Sequence, residues 1–243
     1  MKNIEMVYFD YGNTLIYEEI SYGPQTLEKI YQTLEEKPLS LEDFYQKFFS
    51  KVIGYQEEYF SKDRDFLYRN IFAEIFREED LKSDLTFEAM DKIYFDSHAK
   101  GYPIEGAVEL LAYLDEKNLP YGVISNLSIS ADNLRQRIKE VLGVHVDLVF
   151  TSGESYYRKP DKNLFELAGQ AADFPLEKIL YIGDNPLCDY KGARDAGMKA
   201  IYFNSPRHSP FVLAADKIPL EEDALRVDKL IDIIKILEGD KDV

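Results

Sequence analysis

The sequence predicts an α/β fold in which a doubly wound parallel sheet carries an inserted all-helical segment. Two observations predict this fold. Short apolar runs alternate with stretches of helical periodicity along most of the chain, and one long segment near the N-terminus shows helical periodicity alone. The chain has 243 residues, of which 45% are hydrophobic. That content is sufficient for one large α/β domain, or for a medium core with an accessory piece.

Five apolar runs, rich in β-branched and aromatic residues, are predicted as the strands of the sheet. They cover residues 4–9, 121–125, 147–151, 178–183 and 199–204. Helical patterns follow at residues 107–117, 132–141, 162–172 and 189–196. A closing amphipathic helix is predicted at residues 225–237, with one face formed by Leu230, Ile231, Ile234 and Leu237. Such alternation is typical of right-handed βαβ crossovers, which produce a parallel sheet covered on both faces.

Residues 16–97 are predicted as an inserted helical cap, which leaves residues 1–15 and 98–243 as the α/β catalytic core. Apolar side chains recur in the insertion at helical spacing, and we expect no strand there. Eleven aromatic residues fall between Phe44 and Phe76. Most of these rings are expected to form the core of the cap itself, and a minority to line a substrate cleft that faces the sheet.

The charge balance excludes several classes of partner. The chain has 29 Lys and Arg against 45 Asp and Glu, a net charge of −16, so nucleic acid or an anionic membrane would meet like charge over most of the surface. The single cysteine permits no internal disulfide, the N-terminal residues do not resemble a signal peptide, and no apolar stretch is long enough to cross a bilayer. We therefore expect a cytoplasmic protein, and its oligomeric state stays open.

Polar side chains stand where the predicted strands end or where the next helices begin. These residues are Asp10, Ser125, Asn126, Lys159, Asp184 and Asp189. Each of them, taken alone, has an ordinary explanation as a turn former, a helix cap or a solvated charge. Together they fall where a doubly wound sheet brings its loops to one edge. We therefore expect them to form one site.

Three carboxylates at one edge indicate a magnesium site. Clustered carboxylates repel one another, and Mg²⁺ prefers a few carboxylates together with waters and phosphate oxygens. Lys159, Ser125 and backbone N–H groups would bind the other oxygens of a phosphoryl group. Asp10, at a strand tip, is placed to attack phosphorus and form an aspartyl-phosphate, which water would then hydrolyse. The predicted partner is a small phosphorylated metabolite.

Four motifs, at residues 10–15, 125–126, 159–160 and 183–193, resemble in their order and spacing the haloacid dehalogenase superfamily of aspartate-nucleophile hydrolases. The most specific parts are Asp10 followed by Thr14 and Leu15, and Gly183 and Asp184 followed by Asp189, Gly192 and Ala193. The helical insertion directly after the first motif resembles the small cap of the first type in that family. The resemblance spans nearly the whole chain and implies a Rossmann-like core.

The resemblance also implies roles for single residues. Asp10 would be the nucleophile, Lys159 the cation that stabilises the developing charge, and Thr14 a brace for the nucleophile loop. Ser125 and Asn126 would bind the substrate. The metal ligands would be Asp10, the backbone carbonyl of Gly12, Asp184 and Asp189, with Asp189 either a ligand or a residue that orients the other groups.

Position 12 departs from the family pattern. Phosphatases of the family usually carry a second aspartate there, a general acid that protonates the leaving alkoxide, whereas this chain has Gly12. General acid–base catalysis is worth roughly 10² to 10⁴ in rate. We therefore expect slow turnover of alkyl phosphates and a smaller penalty for good leaving groups. The candidate substitutes for the acid are Tyr11, Asn13, Glu18, Glu19 and Tyr22.

Three functions remain open from the sequence. The leading hypothesis is a Mg²⁺-dependent hydrolase of the phosphatase type. The missing acid motivates the second, a non-catalytic or regulatory protein that binds phosphate, metal or a protein partner. The third is haloacid dehalogenation, because dehalogenating relatives also lack the second aspartate. Those relatives carry a tyrosine at that position and need no metal, a pattern that Gly12, Asp184 and Asp189 together fit poorly.

Overall fold

The fold is described from a computed structural model for residues 3–207, 219–222 and 224–239. The strands within these ranges are β1 Met6–Phe9, β2 Ile16–Ile20, β3 Ala99–Pro103, β4 Tyr121–Ser125, β5 Leu148–Thr151, β6 Ile179–Gly183, β7 Lys199–Phe203 and β8 Arg226–Val227. The α-helices are α1 Glu28–Gln32, α2 Leu41–Tyr59, α3 Tyr68–Glu78, α4 Phe87–His98, α5 Ala107–Glu116, α6 Ala131–Leu142, α7 Ser152–Ser155, α8 Lys162–Ala172, α9 Gly192–Ala196 and α10 Asp232–Glu238. Short 3₁₀ turns lie at Pro24–Thr26, Phe60–Lys62 and Leu176–Lys178.

The main sheet contains six of these strands in the order β5-β4-β1-β6-β7-β8, and every neighbouring pair is parallel. All five strands predicted from apolar runs belong to it. The sequence order reverses around β1, since β4 and β5 extend the sheet on one side while β6 and β7 extend it on the other. The predicted doubly wound parallel sheet is confirmed.

Strand β1 shows how both faces of the sheet are covered. Val7 and Phe9 point into a cluster with residues of α5, α6 and α10. Met6 and Tyr8, at the alternate positions, point into a second cluster with residues of α8 and α9. All four side chains are fully buried. A central strand that is apolar on both faces accounts for the continuous hydrophobic run that predicted it.

Helices α1 to α4 pack around their own hydrophobic cluster, which extends from Leu27 to Tyr94. Phe48 lies at its centre, with its ring centroid 4.7 Å from those of both Phe72 and Tyr94. All eleven aromatic residues between Phe44 and Phe76 are buried in this cluster or packed against it. The expectation that most of these rings form the core of the insertion is confirmed.

A two-stranded antiparallel ribbon joins the insertion to the sheet, with Ile16 opposite Pro103 and Ile20 opposite Ala99. The expectation that residues 16–97 contain no strand is therefore wrong for β2. The strand escaped detection because its sequence, IYEEI, is polar at its centre, and because its pairing partner lies about eighty residues away along the chain.

Two helical predictions near the C-terminus were also partly wrong. Residues 225–237 do not form one helix, because Arg226 and Val227 pair with β7 and the helix begins only at Asp232. Within the helix, Ile233 and Ile236 are buried. Of the predicted face, Leu230 is buried just before the helix, Ile234 and Leu237 pack half-buried against the core, and Ile231 is exposed. The helix predicted at 189–196 is divided into a π-helical turn, Pro186–Lys191, and α9. Across the described ranges, none of the helices has the length and apolar character that a bilayer crossing requires.

Candidate active site

The carboxyl edge of the main sheet brings three carboxylates together. Asp10 follows β1, Asp184 follows β6, and Asp189 lies in the π-helical turn after β6. One carboxylate oxygen from each lies within 4.8 Å of the others. Gly183 permits this arrangement, because a β-carbon at that position would lie 2.4 Å from the carboxyl carbon of Asp189. A glycine at the end of β6 is thus a steric requirement for the site.

Lys159 inserts a buried ammonium group between two of these carboxylates. Its Nζ donates hydrogen bonds to Asp10 Oδ1 at 2.7 Å and to Asp189 Oδ1 at 2.6 Å. The same nitrogen lies 2.7 Å from the hydroxyl of Tyr181 and 3.0 Å from the carbonyl of Ile124. The lysine is only 3% exposed. A charge at this depth is tolerable because it is paired and hydrogen-bonded.

The pKa values of the site reflect burial first and the charges of neighbouring groups second. Burial raises the pKa of Asp10 to about 6, with Lys159 opposing the shift and Asp189 adding to it. Burial, followed by repulsion from Asp10 and Asp189, raises the pKa of Asp184 well above its usual value. Burial alone would lower the pKa of Lys159, but its two carboxylate partners raise it above the usual lysine value. The lysine therefore stays charged, while the carboxylates lack a second cation.

Asp189 has hydrogen bonds at both of its oxygens. Oδ1 accepts from Lys159 and lies 3.2 Å from the Tyr181 hydroxyl, whereas Oδ2 accepts from the backbone N–H of Asn185 at 2.9 Å. The side chain is thereby fixed against the lysine. Of the two roles expected for Asp189, this geometry favours the orienting role over direct metal coordination.

Ser125 and Asn126 lie at the end of β4, beside the lysine. The Asn126 amide is engaged at both ends with the backbone of Lys159: its Nδ2 donates to the carbonyl at 2.9 Å, and its Oδ1 accepts from the N–H at 2.8 Å. We expected Asn126 to bind substrate. The structure instead places its amide against the backbone of Lys159, where it acts as a clamp on the loop around this residue, which we call the lysine loop. Ser125, which is the last residue of β4 and is 3% exposed, stands at the sheet edge where a phosphoryl group would arrive.

We predicted that Thr14 braces the loop that follows Asp10. The hydrogen bonds that hold this loop go instead to its backbone carbonyls. The carbonyl of Tyr11 accepts from the N–H groups of Leu15 and Ile16, and the carbonyl of Asn13 accepts from Ser205 Oγ at 2.6 Å. Thr14 is fully buried, but its hydroxyl has no hydrogen-bond partner among the described residues. The expectation that Thr14 braces this loop through its side chain finds no support in these contacts.

Two of the candidate substitutes for the missing acid, Tyr11 and Glu18, are hydrogen-bonded to each other. The Tyr11 hydroxyl donates to Glu18 Oε1 at 2.7 Å, and Arg137 lies 3.4 Å from the same oxygen. Arg137 also donates to Asp96 Oδ1 at 2.8 Å. This group of polar residues ties the nucleophile loop, β2, α4 and α6 together. Tyr11 and Glu18 are thus occupied in a structural network.

Tyr181 is the site residue that the sequence analysis missed. It lies within the apolar run that forms β6 and is fully buried, and its hydroxyl touches both Lys159 and Asp189. One signal was available. Alternate residues of a strand point to the same face, so Tyr181 shares a face with Gly183, the residue against which Asp189 packs.

The donor set suits a hard divalent cation. The group contains carboxylate oxygens alone, without a histidine or cysteine, which is typical of a Mg²⁺ site rather than a site for a softer metal. The single ammonium of Lys159 leaves the three carboxylates with excess negative charge. The residues that are present therefore fit Mg²⁺, with Asp10 and Asp184 the side chains least committed to other partners.

Comparison with known proteins places this site in a family. Residues 26–203 match the model of the haloacid dehalogenase-like hydrolases, a range that contains Ser125, Lys159, Asp184 and Asp189 and begins after Asp10. The chain is 30% identical over 141 residues to human haloacid dehalogenase-like hydrolase domain-containing protein 3, which covers 56% of this chain and 53% of that protein. It is also 30% identical over 138 residues to a pyrimidine 5′-nucleotidase of Streptococcus pneumoniae, which covers 56% and 57% of the two chains.

The matched segment thus spans little more than half the length of these relatives. Among solved structures, a phosphatase from Thermococcus onnurineus aligns with a TM-score of 0.58 at 19% identity, covering 97% of this chain and 99% of the other. At that identity the structural likeness establishes the fold alone.

Proposed function

The chain belongs to the haloacid dehalogenase-like hydrolases, and from this premise we propose that it is a Mg²⁺-dependent phosphatase of small phosphorylated metabolites, with Asp10 as its nucleophile. One observation supports the proposal above the others. Two buried carboxylates, a third that is half-buried and one buried ammonium meet at the carboxyl edge of the sheet, where ligands of doubly wound folds bind. The nucleotidase relative described above acts on a small phosphorylated compound, in agreement with this substrate class.

The metal would be held by Asp10, Asp184 and the backbone carbonyl of Gly12. Asp189 would orient Lys159 through the ion pair between them. Bound there, Mg²⁺ would supply positive charge that offsets the carboxylates and the oxygens of a phosphoryl group. The replacement at position 12 leaves this assignment intact, because the group required there is a backbone carbonyl.

The chemical step falls to Asp10. Its carboxylate would attack phosphorus to form an aspartyl-phosphate as the bond to the leaving oxygen breaks, and water would then hydrolyse this intermediate to release phosphate and restore the carboxylate. Lys159 would stabilise the charge that develops on the phosphoryl oxygens, and Ser125 would bind one of them. Since Gly12 cannot protonate the leaving group, aryl and acyl phosphates should be the best substrates.

The helical insertion would complete the enzyme as a cap over this edge. We assign residues 16–97 to it, with the β2–β3 ribbon as the connection to the core. A cap of this kind excludes water from the reaction and supplies the residues that select the substrate.

Hydrolysis of 4-nitrophenyl phosphate by the wild-type protein and by Asp10→Asn, with and without Mg²⁺, tests the proposal. We expect metal-dependent turnover that falls at least about 10³-fold in Asp10→Asn, as is usual when a nucleophile is removed. Thermal melting of both proteins in Mg²⁺ serves as the control for folding. Turnover that is unchanged by the substitution would exclude Asp10 as the nucleophile.

Gly12 favours one alternative, a protein that binds metal and phosphate without turning a substrate over. Calorimetry that detects Mg²⁺ and phosphate binding, together with no turnover across alkyl, aryl and acyl phosphates, would favour this alternative. Any turnover that requires both Mg²⁺ and Asp10 would exclude it.

A further inference from the structure

A short segment of the insertion, residues 63–67, is built onto the loop that carries Lys159. We call this segment the strap. Its backbone runs antiparallel to the lysine loop: the N–H of Arg158 donates to the carbonyl of Asp63 at 3.0 Å, and the N–H of Asp65 donates to the carbonyl of Tyr156 at 3.0 Å. These two bonds form a small antiparallel β-bridge between the strap and the lysine loop. Any movement of the strap would therefore be transmitted to the lysine loop.

Asp65 anchors the strap in the core. Its side chain is fully buried, and both carboxylate oxygens are satisfied. Oδ1 accepts from Ser128 Oγ at 2.7 Å and from the N–H of Phe66 at 2.8 Å. Oδ2 accepts from Ser152 Oγ and from Arg158 Nη1, each at 2.5 Å. Three neutral donors and the guanidinium of Arg158 thus satisfy this buried carboxylate and offset the cost of burying its charge.

Two of the four donors to Asp65 come from the loops that hold the active-site residues. Arg158 is the residue before Lys159, and Ser128 follows Ser125 by three positions in the same loop. Asp65 lies outside the site and links the loop that carries Lys159 to the loop that carries Ser125, the proposed phosphate contact. The fit is close, since a β-carbon on Gly153 would lie 2.7 Å from the carbonyl oxygen of Phe66 in the strap.

We propose that Asp65 is a positioning residue, through which the insertion sets the place of Lys159 in the active site. The expected effect of Asp65 on kcat rests on the proposed phosphatase function. Its expected effect on the position of the lysine loop does not. Asp65 touches none of the reacting groups. It acts on Arg158 and, through the adjoining peptide, on the lysine that stabilises the phosphoryl oxygens. A displacement of about 1 Å in such a group is enough to cost on the order of 10²-fold in rate.

Asp91 provides a matched control. It is a second fully buried carboxylate that the insertion presents to the core, but it lies on α4 and accepts from the N–H of Ser130 at 3.3 Å and from Asn133 Nδ2 at 2.9 Å. Neither of these bonds involves the lysine loop. If Asp65 served only to hold the insertion on the core, the two aspartates would be equivalent.

The test compares Asp65→Asn with Asp91→Asn in the full chain with Mg²⁺ and 4-nitrophenyl phosphate. For Asp65→Asn we expect kcat to fall by about 10- to 100-fold while KM and the Mg²⁺ concentration for half-maximal rate stay near the wild-type values, because Asp10 and Asp184 are untouched. In a Lys159→Met background, the same substitution should cause no further loss. Asp91→Asn should retain wild-type kcat.

Hydrogen exchange of the amides in residues 156–158 gives a readout that does not depend on turnover. Exchange should accelerate in Asp65→Asn and stay unchanged in Asp91→Asn. Accelerated exchange in a protein without any phosphatase activity would refute the proposed function and leave Asp65 as the residue that holds this loop. Unchanged kcat in an active Asp65→Asn protein, or equal effects in both variants, would overturn the proposal. Should Asp65→Asn not fold, Ser152→Ala removes one donor and is expected to show the same changes on a smaller scale.

Discussion

Two neighbouring residues, Arg158 and Lys159, pair with buried carboxylates that are balanced in opposite ways. At the active site, Asp10 and Asp189 share the single ammonium of Lys159, and a carboxylate oxygen of the half-buried Asp184 lies within 4.8 Å of both carboxylates. At the strap, Asp65 has a guanidinium and three further donors to itself. Burial raises the pKa of Asp10 and Asp184, which are short of partners.

This difference separates a functional use of buried charge from a structural one. A carboxylate whose oxygens all accept hydrogen bonds fixes the segments that donate to it. Removing one of these partners leaves an uncompensated charge. A group of carboxylates with too few cations stores electrostatic strain that an incoming cation or substrate relieves. The excess of negative charge at the sheet edge is therefore the feature that points to chemistry, and the balanced pair at the strap is the feature that keeps the chemical groups in place.

Adding one more carboxylate to the charge-rich region should produce the largest change. Gly12 has no positive φ and has open space within 4 Å of the position where a β-carbon would stand, so an aspartate fits without a clash. For Gly12→Asp we expect turnover of an alkyl phosphate such as glycerol phosphate to rise by roughly 10² to 10⁴, and turnover of an aryl phosphate to rise much less. Gly12→Asn, which has the same shape and no acid, is the control. An equal gain from both variants would show that the effect is not acid catalysis.

Removing the cation tests the same imbalance from the other side. Lys159→Met leaves the buried carboxylates of Asp10 and Asp189 without their charge partner, and we expect the free energy of unfolding to fall by about 3 to 5 kcal/mol. Mg²⁺ should restore more stability to this variant than to the wild type, since the ion binds the folded site alone. Urea unfolding with and without Mg²⁺ provides the measurement. Lys162→Met, at an exposed lysine three residues away, should change stability by less than about 0.5 kcal/mol. If the free energy of unfolding fell by similar amounts in Lys159→Met and Lys162→Met, the buried carboxylates would not depend on Lys159 for their charge balance.

The strands and the site residues could be predicted because two simple regularities locate them. Parallel strands buried on both faces appear as continuous apolar runs, and doubly wound sheets collect functional groups at the carboxyl ends of those runs. Asp10, Lys159, Asp184 and Asp189 were found in this way, and the structure brings all four together. Their chemical roles remain proposals.

The supporting residues could not be found by the same means. Asp65 meets Arg158 across 93 positions of sequence, through two loops with no periodic pattern. Asn126 was expected to bind substrate together with Ser125, but a side chain at a loop start can turn either way, and here it turns to the backbone of Lys159. Strand β2 owes its form to pairing with β3 rather than to its own residues. Contacts that depend on how distant segments meet leave no local signal.

Asp91 offers an intermediate case, because one of its oxygens, Oδ1, is buried without a hydrogen-bond partner among the described residues. Burial raises its pKa to about 7 from an ordinary value of 3.8, with Asn133 and Ser130 opposing the shift. Between these two values the folded protein holds a proton that the unfolded chain has lost. Its stability therefore falls as the pH rises through this window, and above pH 7 the full loss, up to about 4 kcal/mol, is present.

Asp91→Asn should abolish this part of the pH dependence. The variant should match the wild type near pH 4 and become more stable than it by about 2 to 4 kcal/mol at pH 8, which urea unfolding at the two pH values would measure. Asp132→Asn, an exposed carboxylate in the first turn of α6, is the control and should not produce a gain that grows with pH. A parallel pH dependence of wild type and Asp91→Asn would show that this carboxylate ionises as freely in the folded protein as in the unfolded chain.

The smallest expected effect concerns Tyr181, whose hydroxyl is a neutral partner of Lys159, as is the carbonyl of Ile124. Tyr181→Phe should reduce the free energy of unfolding by about 1 to 2 kcal/mol through the loss of buried hydrogen bonds and should lower kcat by about 10-fold, since a shift of 1.4 kcal/mol in transition-state stabilisation has that size. Tyr8→Phe is a matched control, because Tyr8 pairs with Tyr181 across β1 and β6, is equally buried, and donates to the carbonyl of Ala168 at 2.8 Å, away from the lysine. Both variants should lose stability, and only Tyr181→Phe should lose rate. Equal rates in the two variants would mean that Asp10, Asp189 and the Asn126 clamp hold the ammonium without help from the tyrosine.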